Sequence, residues 1–162
     1  MKELSLLEQR RIQAEILVPF IRSLESEIGK EEAHRIVKAF IDDMAFSKGR
    51  ELGSQMSGTP VEKFAAILPT FSEDNALEIE ILDQSPETFE FNVTRCRFVD
   101  LYEELGAKDL GFMLSCSRDF PLARGISEQL KLERKQTIME GDRYCDFRFR
   151  LLSGDADPQE QG

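Results

Sequence analysis

The chain has 162 residues, 41% of them hydrophobic and 32% charged, with a formal net charge of −10. A chain of this length buries roughly 70% of its unfolded surface, so it holds a core without disulfide or metal staples. The acidic balance, with no dense basic stripe, argues against nucleic acid and anionic membrane as partners. No apolar run approaches the length of a membrane span.

The N-terminal stretch MKELSLLEQRRIQAEIL is charged and amphipathic, unlike a secretory signal. Cys96, Cys116 and Cys145 are an odd number of cysteines, widely spaced. That is not a secreted disulfide framework, and the expectation is a cytoplasmic protein with free thiols.

The first 70 residues read as helical. RIQAEILVPFIRSLESEIG carries Ile12, Ile16, Phe20 and Leu24 at helical spacing, with a kink expected at Pro19 and a stop at Gly29. The next segment puts Ala33, Ile36, Val37, Phe40, Ile41 and Met44 on one stripe. His34, the single histidine, falls at the edge of that stripe and reads as a helix-flank residue. GTPVEKFAAIL opens a third helix, with Thr59 as N-cap, Pro60 as first helical residue and Glu62 completing a capping box.

The period then changes. Leu77, Ile79 and Ile81 alternate with glutamates, and Phe89, Phe91 and Val93 alternate with polar residues. These are two strands with one wet face, expected to pair Ile81 with Phe89, Ile79 with Phe91 and Leu77 with Val93. RFVDLYEELG is a helix ended by Gly106, and KDLGFMLS gives another turn or two. CSRDFPLARGIS is expected to be irregular because Pro121 disfavours helix at Phe120. A tight hairpin with EGDR at its turn is expected to close the sheet, setting Ile138 against Cys145, Arg134 against Phe149 and Leu132 against Leu151. One flaw of that register is a like-charge pair, Lys135 against Arg148.

The fold class expected is therefore α+β. N-terminal helices pack on a small antiparallel sheet made of two β-hairpins separated by a helical segment. One domain spans 1–152, helical over 1–70 and sheet-containing over 75–152, followed by a disordered acidic tail over 153–162.

The sheet pattern turns Cys145 toward the core, with Arg134 and Gln136 on the same side. An inward guanidinium needs an anion, either an internal acid or a bound carboxylate. Cys96 ends a strand and starts a helix, where the dipole and the flanking Arg95 and Arg97 should lower its pKa. Cys116 stands three residues before Asp119, placing a nucleophile beside a proton carrier. A zinc site of three thiolates and Asp119 is the metal alternative, but there is no CxxC knuckle. No cofactor is expected. The residues alone give an α+β domain with a thiol site.

Taken together, the motifs resemble the L-2-amino-thiazoline-4-carboxylic acid hydrolase family. The resemblance runs from EQRRIQAEIL to CDFRFR. It is carried by Cys96 in CRFVDLYEELG, Cys116 and Asp119 in LSCSRDF, Arg134 and Thr137 in LERKQTI, and Gly141, Cys145 and Asp146 in GDRYCDFR. It implies a hydrolase that opens the ring of a small cyclic amidine or thiazoline carboxylate by C–N hydrolysis, giving a carbamoyl-cysteine. On this reading Cys116 is the nucleophile, Asp119 carries the proton, and Cys96 and Cys145 line the site. Arg134 holds the substrate carboxylate, with Gln136, Thr137 and Asp146 as further substrate-binding residues. The alternative is a non-enzymatic small-molecule or metal-binding sensory module. The partners expected are a small-molecule substrate and a second copy of the chain, joined through the N-terminal helices.

Overall fold

The computed structural model describes residues 3–154. Beyond residue 154, the expected acidic tail lies outside the described residues. The architecture is α+β: helices α1 (Leu6–Ile28), α2 (Lys30–Gln55) and α3 (Pro60–Phe71) precede strands β1 (Leu77–Gln84) and β2 (Thr88–Cys96). Helices α4 (Arg97–Glu104), α5 (Lys108–Leu114) and α6 (Asp119–Ile126) follow, then β3 (Leu130–Glu133) and β4 (Cys145–Leu151). The sheet is antiparallel throughout, in the order β1-β2-β4-β3.

The caps obey local chemistry. Thr59 accepts from the Glu62 N–H at 3.2 Å while Glu62 accepts from the Thr59 N–H at 2.7 Å, the expected capping box. Gly29, at φ 86°, ends α1 and lets the chain reverse into α2. His34 lies 2.6 Å from Glu25 and ties the two helices together. Pro19 lies inside α1, which continues past it to Ile28, before the expected stop at Gly29.

The stripes read for α1 and α2 need correction. Ile12, Ile16, Phe20, Ile36, Phe40 and Met44 are exposed, and the buried residues of α1 are Leu7, Ala14 and Ile21. In α2 the buried line is Ala33, Val37, Ile41, Ala45, Gly49 and Gly53. Small residues permit close approach between helices, so the seam follows alanine and glycine rather than the largest side chains. A Cβ on Gly49 would strike the Leu122 carbonyl oxygen, and one on Gly125 the Phe46 carbonyl oxygen, so α2 and α6 touch backbone to backbone.

The alternation of the strands sets the core. Phe89, Phe91, Val93, Cys145 and Phe149 are buried on one face and meet Phe64, Ile67 and Leu68 of α3. Phe64 packs on Phe149 with ring centroids 3.9 Å apart. The registers differ from those expected. Ile79 pairs with Val93 and Ile81 with Phe91, with irregularities on either side. Leu132 pairs with Phe149, and Glu133 with Arg148. At these pairs each slip is by two residues, which keeps every side chain on its face. In the second hairpin the slip removes the like-charge pair of Lys135 with Arg148 but sets Lys131 against Arg150.

Two further expectations fail for local reasons. CSRDFPLARGIS is not irregular: a 3-10 turn over Cys116–Arg118 leads into α6. Pro121 sits in the first turn of α6, where its missing N–H has no intrahelical acceptor to serve. The tight hairpin does not form. β3 stops at Glu133, because the Asp146 carboxylate takes the N–H groups of Lys135 and Gln136, both at 2.9 Å. A 3-10 turn over Ile138–Glu140 follows, capped by Thr137 and ended by Gly141 at φ 104°.

Candidate functional site

A cavity of about 770 Å³ lies between the apolar face of the sheet and helices α1, α2 and α3. It falls within the usual size of small-molecule sites. Phe64, Ile67, Leu68, Phe71, Phe91 and Phe147 supply much of its apolar wall. Cys96, Cys116, Cys145, Asp119 and Arg134 reach the same cavity from five separate places in the chain.

Their placement follows from the local structure. Cys96 is the last residue of β2 and the N-cap of α4. Cys116 opens the 3-10 turn whose end delivers Asp119 as the first residue of α6. Cys145 begins β4 on its inward face, and its sulfur accepts the Ile138 N–H at 3.3 Å. Arg134 leaves the end of β3 and turns inward.

Arg134 has an internal anion. Its Nη1 donates to Asp119 Oδ2 at 2.6 Å and its Nη2 to the Cys116 carbonyl at 3.0 Å. Its side chain is 2% exposed and that of Asp119 is 18% exposed. The guanidinium carbon lies 5.0 Å from the ring centroids of both Phe120 and Phe147 and 5.8 Å from that of Phe112. Burial pushes the Asp119 carboxyl above the usual aspartate range, against the pull of Arg134.

The thiols do not titrate as the helix terminus suggested. Burial raises Cys96 to about 11, outweighing the hydrogen bonds it receives from the Val99 and Phe98 backbone. Burial also raises Cys116, with Asp119 adding to the effect, and raises Cys145. Arg95 and Arg97 do not act on Cys96: Arg95 faces Glu78 at 3.7 Å, and Arg97 donates to the Asp74 carbonyl at 2.8 Å. All three thiols keep their protons at neutral pH. Among the described residues, no group of three histidine, cysteine or acidic side chains is placed to hold a metal ion, so the zinc alternative finds no ligand set.

Gln136, Thr137 and Asp146 stand apart from the cavity wall. Gln136 donates to the Tyr144 carbonyl at 3.2 Å, and Thr137 to Glu140 Oε2 at 2.7 Å. With Asp146 they fix the segment that carries Arg134 and Cys145 toward the cavity.

Two arginines not singled out in the sequence also line it, Arg10 and Arg118. Both sit inside motifs already quoted, EQRRIQAEIL and LSCSRDF. In the latter, the resemblance rests on the cysteine and the acid and not on the arginine between them.

The family model for L-2-amino-thiazoline-4-carboxylic acid hydrolase matches residues 9–149. The chain belongs to this family. Residues 9–149 run from the first turn of α1 into β4 and enclose every cavity residue named above. No curated protein matches the chain. Among solved structures it is similar to a trafficking protein particle complex subunit 3 from Naegleria fowleri covalently bound to palmitic acid. The TM-score is 0.49 at 15% identity, covering 88% of this chain and 97% of that one.

Proposed function

We propose that the chain is a hydrolase that opens a small cyclic amidine carboxylate, with Cys116 and Asp119 as the acting pair. The supporting observation is a buried carboxylate, fixed by Arg134, beside a thiol on the wall of a ligand-sized cavity. Because Cys116 is held as a thiol, it gives up its proton as it attacks. Asp119, whose affinity for protons is raised by burial, receives that proton while the sulfur bonds to the amidine carbon. The ring C–N bond then breaks and the proton passes to the leaving nitrogen. Water attacks the same carbon, and the Cys116 thiol is released with its proton. Cys96 and Cys145 shape the wall around the reacting atoms. Arg134 acts as a positioning residue through Asp119, and Gln136, Thr137 and Asp146 act on substrate only through the segment they fix.

The test is incubation with 2-amino-thiazoline-4-carboxylate, following gain of one water by mass spectrometry. Asp119→Asn and Cys116→Ala should each lower kcat by about a hundredfold or more. A folded wild-type protein that leaves the ring intact at every substrate level would overturn the reading. The protonated thiols and the apolar wall favour one other reading, a binding module without turnover. Ligand affinity without ring opening would establish it.

We infer as well that the N-terminal helices join two copies of the chain. Ile12, Ile16, Phe20, Phe40 and Met44 are each roughly half exposed, and contiguous apolar patches are rare on monomers unless they bind something. Light scattering should give a dimer mass, and Ile16→Glu should reduce it to that of a monomer.

A further inference from the structure

Arg10 and Arg118 are the unusual charges of this molecule. Arg10 lies near the start of α1 and Arg118 at the turn into α6, yet both line the cavity. Arginines toward the outside find carboxylates: Arg11 pairs with Glu104, Arg22 with Asp109, and Arg35 with Glu32. Arg10 and Arg118 are each partly buried and join none of the ion pairs found among the described residues. Arg10 donates to Gln13 Oε1 at 2.7 Å and Arg118 to the Leu114 carbonyl at 2.6 Å, both neutral acceptors. A guanidinium has five N–H donors, so most of their donors remain to be used. The nearby acid, Asp119, is already held by Arg134.

The electrostatics agree with this placement. Burial and the neighbouring Arg118 lower Arg10 to about 10, and burial lowers Arg118. The buried phenol of Tyr102 feels both guanidiniums. Two like charges withdrawn from water, sharing only the attraction of an Asp119 already bound to Arg134, are costly. A bound anion would remove that cost, and a planar carboxylate suits the guanidinium fork.

The geometry points to an anion subsite formed by Arg10 and Arg118, which takes the carboxylate of a ligand whose apolar body lies against Phe64, Ile67, Leu68, Phe71 and Phe91. Arg134, already neutralised, is not the group that holds this carboxylate. A single small ring would fill only part of the cavity, so the ligand class is an amphiphilic carboxylate. This subsite rests on the cavity being a ligand site and not on ring opening within it.

The experiment is calorimetric titration of the full chain with decanoate and with decanol, which share a chain and differ in charge. Wild-type protein should bind decanoate at least about tenfold more tightly than decanol, as expected for a charged hydrogen bond. Arg10→Gln and Arg118→Gln should each lose about tenfold or more in decanoate affinity while leaving decanol affinity unchanged. Arg10→Lys, which keeps the charge but not the fork, should lose less. The ligand-free variants should melt at or above the wild-type temperature, because repulsion is relieved, whereas a purely structural pair would give lower melting temperatures. Equal affinity of the wild type for decanoate and decanol, unchanged decanoate affinity in both variants, or no binding of decanoate at all would overturn the proposal. Decanoate binding without opening of 2-amino-thiazoline-4-carboxylate would sink the hydrolase reading alone.

Discussion

Arg134 enters the cavity with its charge already answered, whereas Arg10 and Arg118 join no ion pair among the described residues and feel Asp119 only at a distance. Arg134 has a carboxylate at 2.6 Å, a carbonyl at 3.0 Å and three aromatic rings around it. Arg10 and Arg118 have one neutral acceptor each. The same side chain thus has two uses within one wall. A guanidinium that is paired and packed is part of the frame and has little left to offer a ligand. One left unpaired costs stability in the empty protein and is available for binding. The sign of a substitution's effect on stability therefore separates the two uses before any ligand is known.

The largest effect should come from Arg134→Met, which strands Asp119. Removing one partner of a buried pair costs about 3–5 kcal/mol. For a chain of this size that lowers Tm by roughly 10 °C. Calorimetry showing an unchanged Tm would break the comparison, because solvent would then be serving the carboxylate. Next is the double variant, Arg134→Met with Asp119→Leu. Apolar replacement of a whole buried pair is often close to neutral, so it should recover most of the single variant's loss. A double variant as unstable as the single one would show that the aromatic packing of Arg134 matters more than its charge.

Arg10→Gln should have a smaller effect of opposite sign. If the relieved repulsion is worth about 1 kcal/mol, Tm rises by about 2–4 °C. A fall would place Arg10 in the frame alongside Arg134. The smallest effect concerns the thiols. Cys96 is raised to about 11 in the folded chain, so the folded state holds this proton more tightly than the unfolded state. The contribution is fully present below the unfolded thiol value, about 8.5, and is lost as pH rises through about 11. The stability difference between wild type and Cys96→Ala, measured by denaturant titration, should therefore shrink across that window. Alkylation of all three cysteines at neutral pH should be slow for the same reason, and rapid labelling of Cys96 would restore the expected thiolate.

The sheet was legible because burial on one face imposes a strict alternation. Phe89, Phe91 and Val93 could be assigned inward without knowing their partners. Register was less legible, since a slip of two residues leaves that alternation intact and Glu133 meets an arginine either way, Arg150 or Arg148. The helical stripes misled because hydrophobicity marks what is apolar and not what is covered. Ala14 and Gly49 lie in the seam while Ile16 and Phe40 do not. At the site, the family motifs brought Cys96, Cys116, Cys145, Asp119 and Arg134 to one cavity. Two features were hidden. The protonation of the thiols depends on how deeply three distant segments bury one another. The isolation of Arg10 and Arg118 depends on Asp119 already being engaged, and no local pattern encodes that.

The glycine contact between α2 and α6 makes these two helices move as one body. With Gly49, Gly53 and Gly125 in place, carbonyl oxygens of one helix rest against the backbone of the other, and Ile126 O would stand 2.6 Å from a Cβ on Gly53. At these glycines no side chain separates the two backbones, so the helices part there only if the fold itself opens. In a single copy of the chain, the exposed Phe40 and Met44 are the cavity residues free to move. Those side chains change rotamer in picoseconds to nanoseconds, far faster than helices separate. Mobility around the site is therefore uneven, fast at these two residues and locked at the glycine seam.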